Sequence, residues 1–217
     1  MSFDSLVQAA KQHFPSLQIK YKNESWFMKA VGTILFFNKG FMTDYVTTIG
    51  STVYYPSQDF VQKHTASADI VLLHELVHVR DAARISRFLF SALYLFPQIL
   101  TLLVLPLLLI SWKIALPFLV FAAPIPAYFR MRFEKKAYLT SLYAIKKLSG
   151  TLEFLPLLKS QEVFFINQFT SSAYYFTWPF RDALKKDFDA AVEKINAGQR
   201  PFDDDIFDVL DQLMLQV

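Results

Sequence analysis

His74-Glu75-Leu76-Val77-His78 is the stretch on which the reading of this chain turns, and Glu134-Lys135-Lys136-Ala137-Tyr138 is its counterpart beyond a long apolar interval. Residues four apart share one face of a helix, so His74 and His78 can offer two imidazole nitrogens to one metal ion, with Glu75 beside them. Two of only four histidines fall in this motif. The chain has no cysteine, so any metal must be held by His, Asp or Glu.

A zinc hydrolase typically uses three protein ligands and leaves a fourth position for water, whose pKa the ion lowers towards neutrality. His74, His78 and Glu134 supply such a set. Glu75 is placed to take the proton of that water as it attacks a carbonyl and to deliver it to the leaving amine. Asp81, three residues after His78, is either an acceptor for an imidazole N–H or a salt-bridge partner of Arg84 or Arg130. Tyr138, one turn beyond Glu134, is a candidate to hydrogen-bond a ligand or the oxyanion, and Tyr174, Tyr175 and Arg181 are further candidates for the electrophile. His13 and His64 stand alone and read as structural.

Around the motif, Ser67 is the expected N-cap and Asp69 a first-turn acid of a helix from about Ala68 to Arg84. Ile70, Val71, Leu72, Leu73, Leu76, Val77 and Val79 surround it with apolar groups, so it should be central and buried. Two buried histidines and a glutamate are costly there unless hydrogen-bonded or metal-bound.

Phe88 to Ser111 contains 24 residues without a charge, about 36 Å of helix against a hydrocarbon layer of about 30 Å. Trp112-Lys113 interrupts, and Ile114 to Phe129 adds 16 uncharged residues. The expectation is a two-helix transmembrane hairpin. Pro97, Pro106, Pro117, Pro124 and Pro126 leave a kinked re-entrant path open, as well as an apolar hairpin buried in an oligomer. Arg80, Arg84 and Arg87 precede the interval and Arg130, Arg132, Lys135 and Lys136 follow it, which places both flanks in the cytoplasm. A metal shared by His74, His78 and Glu134 requires the same even number of crossings.

Towards the N-terminus, residues 3 to 14 suit an amphipathic helix ended by Pro15, and Leu17 to Lys22 alternates as a strand does. Asn23 to Phe37 is expected to be a helix burying Trp26, Phe27, Ala30, Val31, Ile34 and Leu35, with Asn23-Glu24-Ser25 as its cap. Tyr45 to Tyr55 is β-prone around Gly50-Ser51, one bulged strand or a tight hairpin. Its place before the metal helix suits an edge that binds an extended substrate, or an ordinary edge strand. Towards the C-terminus, Arg130 to Leu148 reads as a helix ended by Gly150, and Leu155 to Trp178 as a core or membrane-surface helix. Phe180 to Ala197 is amphipathic, and Asp203-Asp204-Asp205 caps a last helix with Ile206, Phe207, Leu210, Leu213 and Met214 on one face.

Composition agrees with membrane association. The 217 residues are 53% hydrophobic and 17% aromatic, with 23 Phe and a mean hydropathy of +0.28. A net charge of only +3, with no basic run, makes nucleic acid an unexpected partner. The first residues lack a secretory pattern.

The paired motifs flanking an apolar hairpin are similar to the M48 group of membrane zinc metallopeptidases, the HtpX and Ste24 class of gluzincins. The resemblance covers about residues 67 to 140, and Tyr138 stands where that group has Asp. It implies Zn2+ held by His74, His78 and Glu134, Glu75 as general base, and an active site facing the cytoplasm from a multi-pass inner or other cytoplasmic membrane. The expected fold is mainly α with a small β-sheet, an α+β zincin-like core. Residues 1–87 would form its N-terminal half, 88–129 the inserted hairpin and 130–217 the helical C-terminal half. The function implied is a membrane-anchored zinc metalloendopeptidase whose partners are a peptide or protein substrate and the lipid bilayer. The alternative is a non-catalytic membrane or assembly protein with a structural or decayed metal site.

Overall fold

The computed structural model describes residues 3–36, 38–149, 154–171 and 176–215. The chain divides into two compact units, Met1–Arg87 with Asp203–Val217, and Phe88–Phe202.

The first unit contains α1 (Phe3–His13), β1 (Gln18–Tyr21), α2 (Trp26–Ile34), β2 (Thr47–Ile49), β3 (Thr52–Tyr55), α3 (Gln58–Lys63) and α4 (Thr65–Ile85). The β-prone run around Gly50 is a hairpin: β2 pairs antiparallel with β3, Thr48 opposite Val53. Gly50 turns it at φ +63°, which suits glycine at the first loop position. β1 joins β3 in parallel, Ile19 opposite Val53, and the order β1-β3-β2 leaves β2 on an edge. Val53 and Tyr55 turn inwards from the central strand, as a period of two requires. Tyr55 meets the Phe3 ring edge-on at 5.2 Å and donates its hydroxyl to Ala68 O at 3.0 Å, fastening sheet to helix.

Two expectations in this unit are corrected. Ser25 does cap α2, accepting from Met28 N at 3.3 Å, but Met28 is the one residue α2 buries fully. Trp26, Phe27 and Ile34 face outwards, because Met28 and Gly32 form the contacting side: a Cβ on Gly32 would come to 2.8 Å from Met42 Sδ. Periodicity located the apolar sector without saying which half of it meets the protein. The metal helix starts earlier than Ser67. His64 occupies the N-cap with no side-chain cap bond, since α3 runs almost directly into α4, and Asp69 lies past the first turn.

The last helix of the chain, α11 (Ile206–Met214), belongs to this first unit rather than to a C-terminal half. The N-cap position is Asp205, whose side chain makes no cap bond, and Asp204 Oδ1, one residue earlier, accepts from Ile206 N at 2.9 Å. Asp204 and Asp205 also pair with Arg80 of α4, and Arg84 reaches Asp204 at 3.4 Å and Asp205 at 2.5 Å. α11 inserts Ile206, Phe207, Leu210 and Leu213 into the core.

The second unit carries α5 (Arg87–Leu95), a 3-10 segment (Gln98–Leu103), α6 (Val104–Leu108), α7 (Trp112–Ala115), a second 3-10 segment (Leu116–Ala122), α8 (Tyr128–Ser149), α9 (Phe154–Thr170) and α10 (Arg181–Asn196). Its core is aromatic. Tyr138 of α8 stacks on Phe165 at 4.4 Å and meets Phe169 edge-on at 5.6 Å, and Phe169 meets Phe188 of α10 at 6.4 Å. No single helix among the described residues is long and apolar enough to cross a membrane. The expected helix over Phe88–Ser111 is broken, with α5 and Gln98–Leu108 bent by 92° around Phe96-Pro97, whose peptide is cis. Proline removes a helical donor and clashes with the preceding turn, so Pro97 and Pro106 divide a run that hydropathy alone reads as one helix. Gln98 Nε2 donates to Ile125 O at 2.9 Å, so the apolar excursion leaves and returns at neighbouring points. Leu105, Leu109, Ile110 and Trp112 lie exposed on it. The expected helix end at Gly150 falls outside the described residues.

Candidate metal centre

In α4, every residue from Leu72 to Val79 is buried. The helix is apolar on nearly all sides, so its polar residues are enclosed with the rest. His74 and His78, one turn apart, have ring centroids 5.2 Å apart at 75°. His74 is 8% exposed, Glu75 6%, His78 5% and Glu134, on α8, 2%. His74 and His78 of α4 and Glu134 of α8 are a group that could hold a metal ion. Two imidazoles and a carboxylate are donor types that a divalent ion such as zinc takes.

Glu134 is oriented from within its own unit. Tyr94 Oη donates to Glu134 Oε1 at 2.5 Å. Arg130, one helical turn before Glu134, donates from Nε to Tyr94 O at 3.0 Å and lies over the Tyr94 ring at 5.2 Å. Phe90 and Phe133 rings, 4.6 Å apart, hold α5 against the start of α8. Sequence reasoning missed Tyr94, which sits inside the run read as a lipid-facing helix. Its phenol in a charge-free stretch was the available signal, since a buried tyrosine hydroxyl usually finds a partner.

Glu75 has a second set of neighbours in the first unit. Lys22, fully buried at the end of β1, donates to Phe41 O at 2.6 Å and Tyr45 O at 2.8 Å, and lies 4.0 Å from the Phe41 ring centroid. Burial lowers its pKa to about 8, opposed by the negative charge of Glu75. The Tyr55 hydroxyl is pushed well up, first by burial and then by the charges of Glu75 and Asp69. Asp69 is itself raised by burial, and its Oδ1 has no hydrogen-bond partner. The alternation over Leu17 to Lys22 reads as a strand and gives no sign that its last residue is buried.

The other candidates are distributed as follows. Asp81 is buried, while Arg84 pairs with Asp204 and Asp205 and Arg130 bonds Tyr94. The Tyr138 ring is part of the Phe165 and Phe169 stack. Arg181 is exposed and donates to Asn167 Oδ1 at 2.7 Å. Tyr174 and Tyr175 lie outside the described residues. His13 and His64 are exposed, His64 with its ring 5.0 Å from Phe60.

Compared with known proteins, the chain matches no family model, no curated protein and no solved structure.

Proposed function

We propose that the protein is a membrane-attached, zinc-dependent endopeptidase. The observation that supports this most is the buried set of two imidazoles and one carboxylate, His74, His78 and Glu134, with Glu75 next in sequence to the first of them. A zinc ion bound there would supply Lewis acidity and a water of lowered pKa. His74 and His78 would present their nitrogens from one helix face, and Tyr94 would hold the Glu134 carboxylate through its hydroxyl. Glu75 takes the proton of the attacking water and hands it to the leaving amine. The edge strand β2, with unpaired main-chain groups along its outer side, is the candidate platform for an extended peptide.

Attachment is assigned to the apolar excursion between Gln98 and Ile125. No single helix in it is long and apolar enough to cross, and its first leg is bent by 92° against α5, which supports a re-entrant path that enters and leaves the bilayer on one face. The basic flanks, Arg84 and Arg87 before it and Arg130 and Arg132 after it, put that face on the cytoplasmic side. A cysteine replacing Lys113 should then label from the same side as one replacing Lys146. Labelling from opposite sides would restore the crossing hairpin.

A second reading, a structural metal site in a non-catalytic protein, is favoured by one observation: all three ligand residues are under 9% exposed, and structural zinc sites are closed whereas catalytic ones keep an open position. Bound zinc and casein cleavage, measured for the wild type and Glu75→Gln, separate the readings. The endopeptidase binds about one zinc in both forms and loses turnover on substitution. Zinc without a difference in cleavage supports the structural site, and absence of zinc overturns both.

A further inference from the structure

We infer that α2 is a membrane-surface helix, a second lipid contact that lies in the first unit and depends on neither the metal site nor the apolar excursion. α2 meets its own unit through Met28 and Gly32. At 100° per residue, Trp26, Ala30 and Ile34 fall on the opposite side with Phe27 beside them. Trp26 is 80% exposed and Ile34 72%, with Ala30 and Phe27 also exposed. The Trp26 and Phe27 rings pack edge to face at 6.2 Å, making a broad aromatic end to the row.

The surroundings point to lipid as the occupant. Between Glu24 and Asp44 the only charged residues are Lys29 and Lys39, and both are exposed. On the helix wheel Lys29 sits to one side of the apolar row, so it can meet headgroup phosphates while the row sinks into the acyl boundary. Tryptophan at the end of such a row is typical of the water–lipid interface, where its ring is buried and its N–H stays wet. One face of a nine-residue helix is also far smaller than the 20–30 residues a side of a standard protein interface. An interfacial helix needs no such area, and Lys29 on the helix with Lys39 beyond it, the two charges between Glu24 and Asp44, complement an anionic leaflet.

The test uses the full chain with Trp112→Phe and Trp178→Phe, which leaves Trp26 as its single tryptophan. It is reconstituted into phosphatidylcholine vesicles with and without phosphatidylglycerol. Docking predicts that brominated acyl chains quench Trp26, that acrylamide does not reach it, and that phosphatidylglycerol strengthens both effects. Lys29→Gln and Lys39→Gln should each shift the docked-to-free equilibrium about fivefold towards free in the anionic vesicles. Thermal unfolding should be unchanged, because neither side chain is buried. Trp26 open to acrylamide and untouched by brominated lipid in both vesicles overturns the inference. So does a blue shift that follows protein concentration without lipid, since a second copy would then cover the face.

Discussion

Replacing Tyr94 by Phe removes one oxygen from the chain and tests whether Glu134 is held for a metal. The hydroxyl donates to Glu134 Oε1 at 2.5 Å, and Glu134 is almost fully buried. A hydrogen bond to a charged group contributes about 1.5–3 kcal/mol, and loss of a partner that orients a ligand typically lowers metal affinity 10- to 100-fold. The two estimates agree, since about 1.4 kcal/mol corresponds to a factor of ten. Zinc affinity, measured by competition with a chromophoric chelator, should therefore weaken roughly 10- to 100-fold in Tyr94→Phe. The phenyl ring keeps the Phe90 contact, but the lost hydrogen bond to a buried carboxylate should also cost the metal-free protein about 1.5–3 kcal/mol, so zinc affinity is compared under conditions where both forms are folded. Arg130→Gln, acting through Tyr94, should weaken zinc in the same direction by less. Zinc affinity unchanged or tighter in Tyr94→Phe would mean that the phenol does not orient the ligand, or holds it away from the metal.

Three further outcomes are expected. Lys22 is charged in both states below pH 8 and its burial cost is then fully present; between about 8 and 10.5 the folded state releases the proton first. Wild-type stability relative to Lys22→Met should therefore rise over that window, by up to about 3 kcal/mol, in urea unfolding at neutral pH and at pH 10.5. A fall would contradict the assignment. Asp204→Ala removes the more buried of the two carboxylates that pair with Arg80, together with its bond to Ile206 N, and should cost about 1.5–3 kcal/mol, whereas Asp205→Ala, at a 63% exposed side chain, should cost under about 1 kcal/mol. Equal losses in chemical denaturation would remove the distinction. Tyr138→Ala should lose about 3–5 kcal/mol from the aromatic core, while Tyr138→Phe should stay within about 1 kcal/mol and retain cleavage. A large fall in kcat with Phe would return the hydroxyl to the chemistry.

Local chemistry was the most legible part of the sequence. The spacing of His74 and His78 on an apolar helix, the hairpin around Gly50, the Ser25 cap and the Asp204 bond to Ile206 at the start of α11 all follow from residues a few positions apart, where backbone geometry decides the outcome. Long-range packing was less legible. The outward face of α2 depends on Met42, which comes from a different segment and occupies the side that Gly32 leaves open. Hydropathy over Phe88–Ser111 counts apolar side chains and does not see that Pro97 and Pro106 deny the helix its donors. The support of Glu134 by Tyr94 joins residues forty apart, and the burial of Lys22 rests on carbonyls of a loop with no motif of its own.

The return of α11 to α4, through Arg80 and Arg84 on one side and Asp204 and Asp205 on the other, has a temporal consequence. During synthesis, the helix bearing His74 and His78 leaves the ribosome well before the segment that covers part of its apolar surface, with residues 88–202 made in between. Until α11 emerges, the first unit lacks the buried Ile206, Phe207, Leu210 and Leu213, and α4 lacks the two carboxylates that pair with its arginines. The nascent first unit is thus left incomplete while residues 88–202 are translated, and the histidine-bearing helix is sealed only after the whole second unit has been made.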